Sequence, residues 1–185
     1  WKVDVEEIIK RHTLAPIYFP FLNTQQSAQV IQSMYSEQGG SIHTRAGIAA
    51  SSVQKPECFR YCPQCYQEQK EILGEPYWNR LNQIAGVNVC IKHSCLLQTS
   101  DLPLHSTQKH LYKSASLISE VTESQSLEIT DIERQLISRF EALLTNPVLS
   151  GFTEHQWSMF YLNVAKELNF SRGNQADHKK IREKF

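Results

Sequence analysis

A mainly α fold with short strands, interrupted by one small cysteine-rich module, is predicted by three observations in this 185-residue sequence. Stretches of helical apolar periodicity occupy both ends of the chain, and two of them are opened by capping boxes. Between them lie two paired sets of Cys and His at metal-ligand spacing. Strand signals are short, the best being Val87-Asn88-Val89.

The totals narrow the function classes. Hydrophobic residues are 41% and charged residues 21%, the balance of a globular chain. Lys plus Arg equals Asp plus Glu at 19 each, so no whole-chain field attracts nucleic acid, and any basic face is local. No apolar run is long enough to span a membrane, and no secretory leader opens the chain. Trp1 runs almost directly into a helical pattern, so the sequence reads as an internal piece of a longer chain. Five cysteines is an odd number, and four fall between Cys62 and Cys95. That clustering suits a reduced, cytosolic metal site better than a disulfide framework.

Taken in order, Val3 to His12 has helical periodicity, with Val5, Ile8 and Ile9 on one face, and stops before Pro16. Leu14 to Phe21 is an apolar connector expected to pack on a core. Thr24 is the expected N-cap of a second helix, with Ala28, Ile31, Met34 and Tyr35 as its apolar positions and Gly39-Gly40 as its end. A small-residue stretch, Gly47-Ile48-Ala49-Ala50, leads to the cysteine region, and Ser100 to Ser126 reads as a meandering connector. Thr130-Asp131-Ile132-Glu133 is a capping box. The helix behind it places Ile132, Leu136, Ile137, Phe140 and Leu143 together and stops at Asn146-Pro147. A second box, Thr153 to Gln156, opens a helix carrying Trp157, Phe160, Tyr161, Val164 and Leu168, which Asn169 can end in the left-handed conformation. A last basic stretch, His178 to Phe185, reads as another helix.

Cys62-Pro63-Gln64-Cys65 is a Cys-x2-Cys knuckle, and Cys90-Ile91-Lys92-His93 follows 24 residues later as a Cys-x2-His knuckle. The two-residue gap lets both ligands of a knuckle turn toward one point, so the pair of knuckles can enclose a tetrahedral ion with no open position. Thiolates select a soft or borderline metal, and one structural zinc is the expected occupant. Cys95 is the alternative to His93 as fourth ligand, and Cys58 is a buried or spare thiol. A redox pair would need a βαβ setting that is missing here. Between the knuckles, Glu75 to Val87 suits a short helix packed against the zinc and closed by Gly86. Tyr77 and Trp78 there are read as core, with base stacking as the alternative. His12, His43, His105, His110 and His155 have no partner at ligand spacing.

Three stretches, Phe59-Arg60-Tyr61-Cys62-Pro63-Gln64-Cys65, Pro76-Tyr77-Trp78-Asn79-Arg80 and Gly86-Val87-Asn88-Val89-Cys90-Ile91-Lys92-His93-Ser94-Cys95-Leu96-Leu97, resemble the TniQ/TnsD family. Thr13 to Phe21 and Gly47 to Ser51 look similar to the TnsD branch. The sequence departs from the family pattern at Asn79, where Arg is usual, and at Leu81-Asn82-Gln83, which lacks the common His before Gln. The resemblance implies a target-selection protein of a cut-and-paste transposon. Such a protein recognises a chosen insertion site in double-stranded target DNA, directly or through another targeting complex, and recruits an AAA+ ATPase regulator without cutting or joining DNA itself. The TnsD branch binds a specific chromosomal attachment site. It also implies a bacterial, cytoplasmic, DNA-associated protein.

Apart from the resemblance, Ala165 to Ser171 looks like the turn of a helix-turn-helix. The helix behind it would offer His178, Lys179, Lys180 and Arg182, with Arg172 nearby, to phosphates or base edges.

The prediction is therefore a helical domain built around a small zinc-binding module, with a C-terminal helix-turn-helix-like element. Its expected segments are an N-terminal helical part over 1–57, the zinc module over 58–100, a connector over 101–129 and a C-terminal helical part over 130–185. The expected function is target-site selection through DNA binding. A protein–protein adaptor with no DNA contact in this stretch is the rival. No nucleophile elbow, phosphate loop or acidic metal cluster is present, so no enzyme, no small-molecule substrate and no membrane partner are expected.

Overall fold

The computed structural model describes residues 3–36, 40, 42–46, 53–104, 111–123, 125–146 and 152–184. It confirms a mainly helical chain with short strands. Two compact units emerge, each assembled from two separate stretches of sequence. The first contains Trp1–Ile17 and Ala50–Pro147, the second Tyr18–Ala49 and Val148–Phe185.

In the first unit, α1 spans Val5–His12, opened by the Asp4 carboxylate, which accepts from the Glu6 N–H, and paired along its length by Lys10–Glu6 and Arg11–Glu7. Of its expected apolar face only Ile9 is buried, while Val5 and Ile8 remain largely exposed. A 3-10 turn, Ala15–Ile17, follows with Pro16 and Ile17 buried, as the apolar connector predicts. The strand β1, Cys58–Tyr61, leads into α4, Pro63–Leu73, a helix that the sequence reading did not foresee. Its residues are good helix formers without an apolar stripe: only Pro63 and Tyr66 are buried. Gly74, at φ +83, ends it.

The helix expected over Glu75 to Val87 is reduced to a single 3-10 turn, Leu81–Gln83, though Gly86 does adopt a left-handed φ of +87. Next come β2, Val89–Cys90, β3, Cys95–Leu96, and β4, Gln98–Pro103. β2 pairs with β3 as a hairpin, and β4 pairs antiparallel with β1. Trp78 takes the core reading: it stacks on Phe59 at 4.5 Å, and its indole N–H donates to the Lys113 carbonyl at 2.7 Å. Tyr77 stays exposed. Tyr61, Tyr66 and Ile118 form the nearby core.

The last helix of this unit is α5, Asp131–Thr145, opened by the predicted Thr130–Glu133 capping box. Its buried face is Ile137 and Leu144, not the full set expected: Ile132 is 67% exposed and Leu136 45%. Arg80 ties three segments of the unit together. Its guanidinium donates to the carbonyls of Lys10 at 2.9 Å, Thr13 at 2.8 Å and Leu144 at 3.3 Å. A cation thereby meets the C-terminal carbonyls of α1 and α5, which lack intrahelical partners and carry the negative end of each dipole.

In the second unit, α2 spans Thr24–Tyr35, and its N-cap is Asn23 rather than Thr24: Asn23 and Gln26 form a reciprocal capping box. The buried face is Ser27, Val30 and Ser33, one step round from the one expected, and Ala28 is exposed. The helix ends at Tyr35 with Ser36 as its C-cap, short of the Gly39-Gly40 end expected; Gly39 itself and the Gly47–Ala50 stretch fall outside the described residues. A short α3, Ile42–Arg45, follows. The Thr153–Gln156 capping box opens α6, Glu154–Glu167, as predicted, and Asn169 has the predicted positive φ of 59. Trp157 is half-buried, with its indole N–H on the Pro20 carbonyl at 3.0 Å and its ring 5.3 Å from that of Phe21.

Beyond α6 the expected helix-turn-helix does not appear. Ser171–Arg172 (β5) and Gln175–Ala176 (β6) pair as a hairpin before α7, His178–Lys184, begins. Ala165, expected to face a partner helix, is buried at the end of α6 beside this hairpin, and its carbonyl accepts from the Phe170 N–H at 2.7 Å.

Arg80→Ala removes three charge-assisted hydrogen bonds and strands carbonyls at two helix ends. Urea titration is expected to show a loss of about 2–4 kcal/mol. Arg80→Lys should recover less than half of it, because one ammonium cannot reproduce the planar fork.

Candidate metal centre

The first knuckle is built on the start of α4. Cys62 is its N-cap, in extended conformation, and its sulfur accepts from the Cys65 N–H at 3.4 Å. Pro63 occupies the first turn, where a missing N–H costs nothing. The second knuckle is the β2–β3 hairpin: Cys90 ends β2 and His93 lies in the turn, followed by Ser94 at φ +48. The hairpin is held from outside, since Leu97 donates to the Asn88 carbonyl at 2.8 Å and Leu127 to the Ser94 carbonyl at 2.8 Å.

These elements bring together the four side chains the spacing predicts. The sulfurs of Cys62, Cys65 and Cys90 and a ring nitrogen of His93 all lie within 4.8 Å of one another, so the group can hold a metal ion. His93 Nδ1 is 3.3 Å from Cys62 Sγ, 3.3 Å from Cys65 Sγ and 3.7 Å from Cys90 Sγ, and Cys65 Sγ is 3.8 Å from Cys90 Sγ. Bonds of about 2.3 Å to sulfur and about 2.0 Å to nitrogen give a tetrahedron with edges of about 3.8 Å and about 3.5 Å. The donor set and its spacing therefore fit a tetrahedral ion.

Electrostatics points the same way. Side-chain interactions with Cys62 and Cys65 hold the Cys90 thiol far below its usual range. Cys62 is pushed well up by its hydrogen bonds to Cys65 and Cys90 and by burial. For Cys65 the bond to Cys62 pulls downward, but the bond to Cys90 and burial prevail and carry it up to about 12. Three thiolates in so small a space repel, and a divalent cation compensates them.

Glu68 is the functional residue that the sequence reading missed. With His93 Nδ1 facing the sulfurs, His93 Nε2–H donates to Glu68 Oε1 at 3.1 Å, and Lys92 pairs with the other carboxylate oxygen. A carboxylate behind a ligating imidazole fixes its tautomer and orientation. The available signal was the three-residue step from Cys65 to Glu68, which shares a face only if the segment is helical.

Around the site, Arg60 is buried and locks the framework. Its guanidinium donates to the Ile84 carbonyl at 2.8 Å and to Asn88 Oδ1 at 3.1 Å. Gln83 closes the lock by accepting from the Arg60 N–H at 3.0 Å and donating to the Arg60 carbonyl at 2.8 Å. Cys58, half-buried in β1, stands apart from the four donors.

The other predicted site residues belong to the second unit. His178, Lys179, Lys180 and Arg182 lie exposed on α7, and Arg172 is exposed in β5. Asp177 caps α7, its carboxylate accepting from the N–H groups of Lys179 and Lys180 at 3.1 and 3.2 Å. Lys179 stands 4.0 Å from Glu183, and Arg182 Nε donates to the His178 carbonyl.

Comparison with known proteins gives two findings. The TniQ family model matches residues 1–97. The "Transposon Tn7 transposition protein TnsD" of Escherichia coli is 26% identical over 181 residues, a match that covers 97% of this chain and 35% of that protein. The chain thus spans about a third of the length of this relative.

Elemental analysis of the purified chain is expected to find one divalent metal ion per molecule, lost in Cys90→Ser together with local structure. Glu68→Gln should retain the ion with affinity lowered about 10–100-fold. Cys62 and Cys65 have raised values, so they are protonated near neutral pH and the ion must displace both protons. Apparent affinity therefore falls as pH falls, by up to about two orders of magnitude per unit, which competition with a chromogenic chelator measures.

Proposed function

This chain belongs to the TniQ family, and from that premise we propose that it serves target-site selection in transposition of a Tn7-like element. The match of the family model to residues 1–97 carries this reading, and the similarity to the Tn7 protein supports it. In this role the chain contacts double-stranded target DNA and recruits an AAA+ ATPase regulator, leaving strand cleavage and joining to other proteins. Its setting is the bacterial cytoplasm. No described helix is long and apolar enough to cross a membrane.

We assign zinc to the four-donor cluster, held by Cys62, Cys65, Cys90 and His93. Three thiolates and one imidazole suit it, and a closed shell leaves no position for a reacting water, so its contribution is structural. The ion supplies a bond network between the start of α4 and the β2–β3 hairpin and fixes these two elements to each other.

For the DNA contact we propose Arg172, His178, Lys179, Lys180 and Arg182. All five are exposed, and four share the short helix α7, where a carboxylate cap fixes the first turn. Such a local basic face is what a chain with equal numbers of acidic and basic residues needs in order to meet phosphates. The equal charge totals also favour, as a second reading, an adaptor that holds other transposition proteins without touching DNA here.

A salt-titrated anisotropy assay over tiled target DNA, with a scrambled control, separates these readings. One tile should bind more tightly than the rest. The triple variant Lys179→Ala, Lys180→Ala, Arg182→Ala should weaken binding and flatten the log–log salt dependence by about one unit for each phosphate no longer neutralised. Unchanged affinity and slope would remove α7 from the DNA interface and leave the adaptor.

A further inference from the structure

A fifth sulfur stands at the edge of the metal cluster. Cys95 is only 1% exposed, and its Sγ lies 3.5 Å from that of Cys62, close to the separation of two sulfurs sharing one tetrahedral ion. The hairpin register supplies an independent observation. Cys95 is the direct cross-strand partner of Cys90. Residues directly opposite in an antiparallel pair project from the same face, with Cβ atoms about 5 Å apart. One ligand thus touches Cys95 through its sulfur, and a second faces it across the ladder. Yet Cys95 does not belong to the four donors that lie within 4.8 Å of one another.

The fourth ligand is held differently from the other three. Cys62, Cys65 and Cys90 sit at the ends of regular elements, whereas His93 belongs to the β2–β3 turn and takes its orientation from a single carboxylate, Glu68. Loss of the imidazole opens a vertex beside Cys62, and the next soft donor along the chain is Cys95, the first residue of β3.

We propose that Cys95 is a reserve ligand, a buried thiol that enters the shell when His93 is withdrawn and converts a three-thiolate, one-imidazole site into a four-thiolate site. Entry breaks the bond to His93 Nδ1 and the Cys95 S–H bond, forms a metal–sulfur bond, and leaves the proton on the freed imidazole; no oxidation or reduction is involved. The inference rests on the zinc reading of the cluster and extends it to a residue outside the set.

The test uses the full chain loaded with zinc, and with cobalt(II) as a spectroscopic probe. Four proteins are compared: wild type, His93→Ala, Cys95→Ser and the double variant. His93→Ala should keep one metal per chain, and its thiolate-to-cobalt charge-transfer band should grow, since that intensity follows the number of bound sulfurs. Cys95→Ser alone should bind as wild type does, with an unchanged band. The double variant should bind at least about 100-fold more weakly than His93→Ala, a gap worth about 2.7 kcal/mol. Equal affinities of His93→Ala and the double variant, or a charge-transfer band that does not grow in His93→Ala, would overturn the proposal. If His93→Ala does not fold, His93→Gln is read by the same criteria, and failure of both variants to hold a folded, metal-bound state would equally overturn it. Wild type without metal would instead remove the zinc reading itself, a separate result visible in the first sample.

Discussion

Three sulfurs and one imidazole nitrogen crowded within 4.8 Å of one another impose the constraint around which the cysteine-rich module is organised. Left to themselves, the thiols cannot all ionise: their mutual interactions lower Cys90 while Cys62 and Cys65 are pushed up. The same crowding becomes favourable once a divalent cation shares the charge, because each sulfur then has an attractive partner at bond length. The neighbouring framework is arranged to keep the four donors where they are. Cys62 is fixed by its place at the start of α4, Cys90 by strand pairing, and His93 by Glu68.

A buried arginine and a half-buried one extend that framework by satisfying carbonyls that regular structure leaves unpaired. Arg60 and Gln83 join β1 to the loop before β2, and Arg80 joins the ends of α1 and α5 to the 3-10 turn at Leu81–Gln83. Both guanidinium groups meet neutral acceptors, and burial lowers the proton affinity of each. These hydrogen bonds also give the arginine of the Pro76-Tyr77-Trp78-Asn79-Arg80 stretch a structural role that can be stated atom by atom.

The two units differ in the kind of side chain they gather. The metal-centred module brings its four donors to one point from the start of α4 and the β2–β3 hairpin. The second unit ends on a helix whose cations face solvent, held in place by an aspartate cap and a hairpin. Its positive charge is local, within a chain whose acidic and basic totals are equal.

What the sequence alone determined was whatever depends on residues three or four apart. The ligand pairs at Cys62/Cys65 and Cys90/His93, the capping boxes at Thr130 and Thr153, and the left-handed Asn169 all follow from short-range geometry, and each appears where it was read. Tertiary structure decided the rest. α4 has no apolar stripe to announce it, so Glu68 could not be placed behind His93, 25 residues away. The three carbonyls that Arg80 reaches are 64 to 70 residues from it in sequence. The buried face of α2 runs through Ser27 and Ser33 because what packs against it, not its own hydrophobicity, sets which side is inside. The turn after α6 became a hairpin because Ser171 and Arg172 found strand partners in Gln175 and Ala176, a pairing that no helix-turn-helix spacing could reveal. Local hydrogen bonds close within a single turn of chain and are written in its order; long-range ones exist only after the chain has folded and brought their partners together.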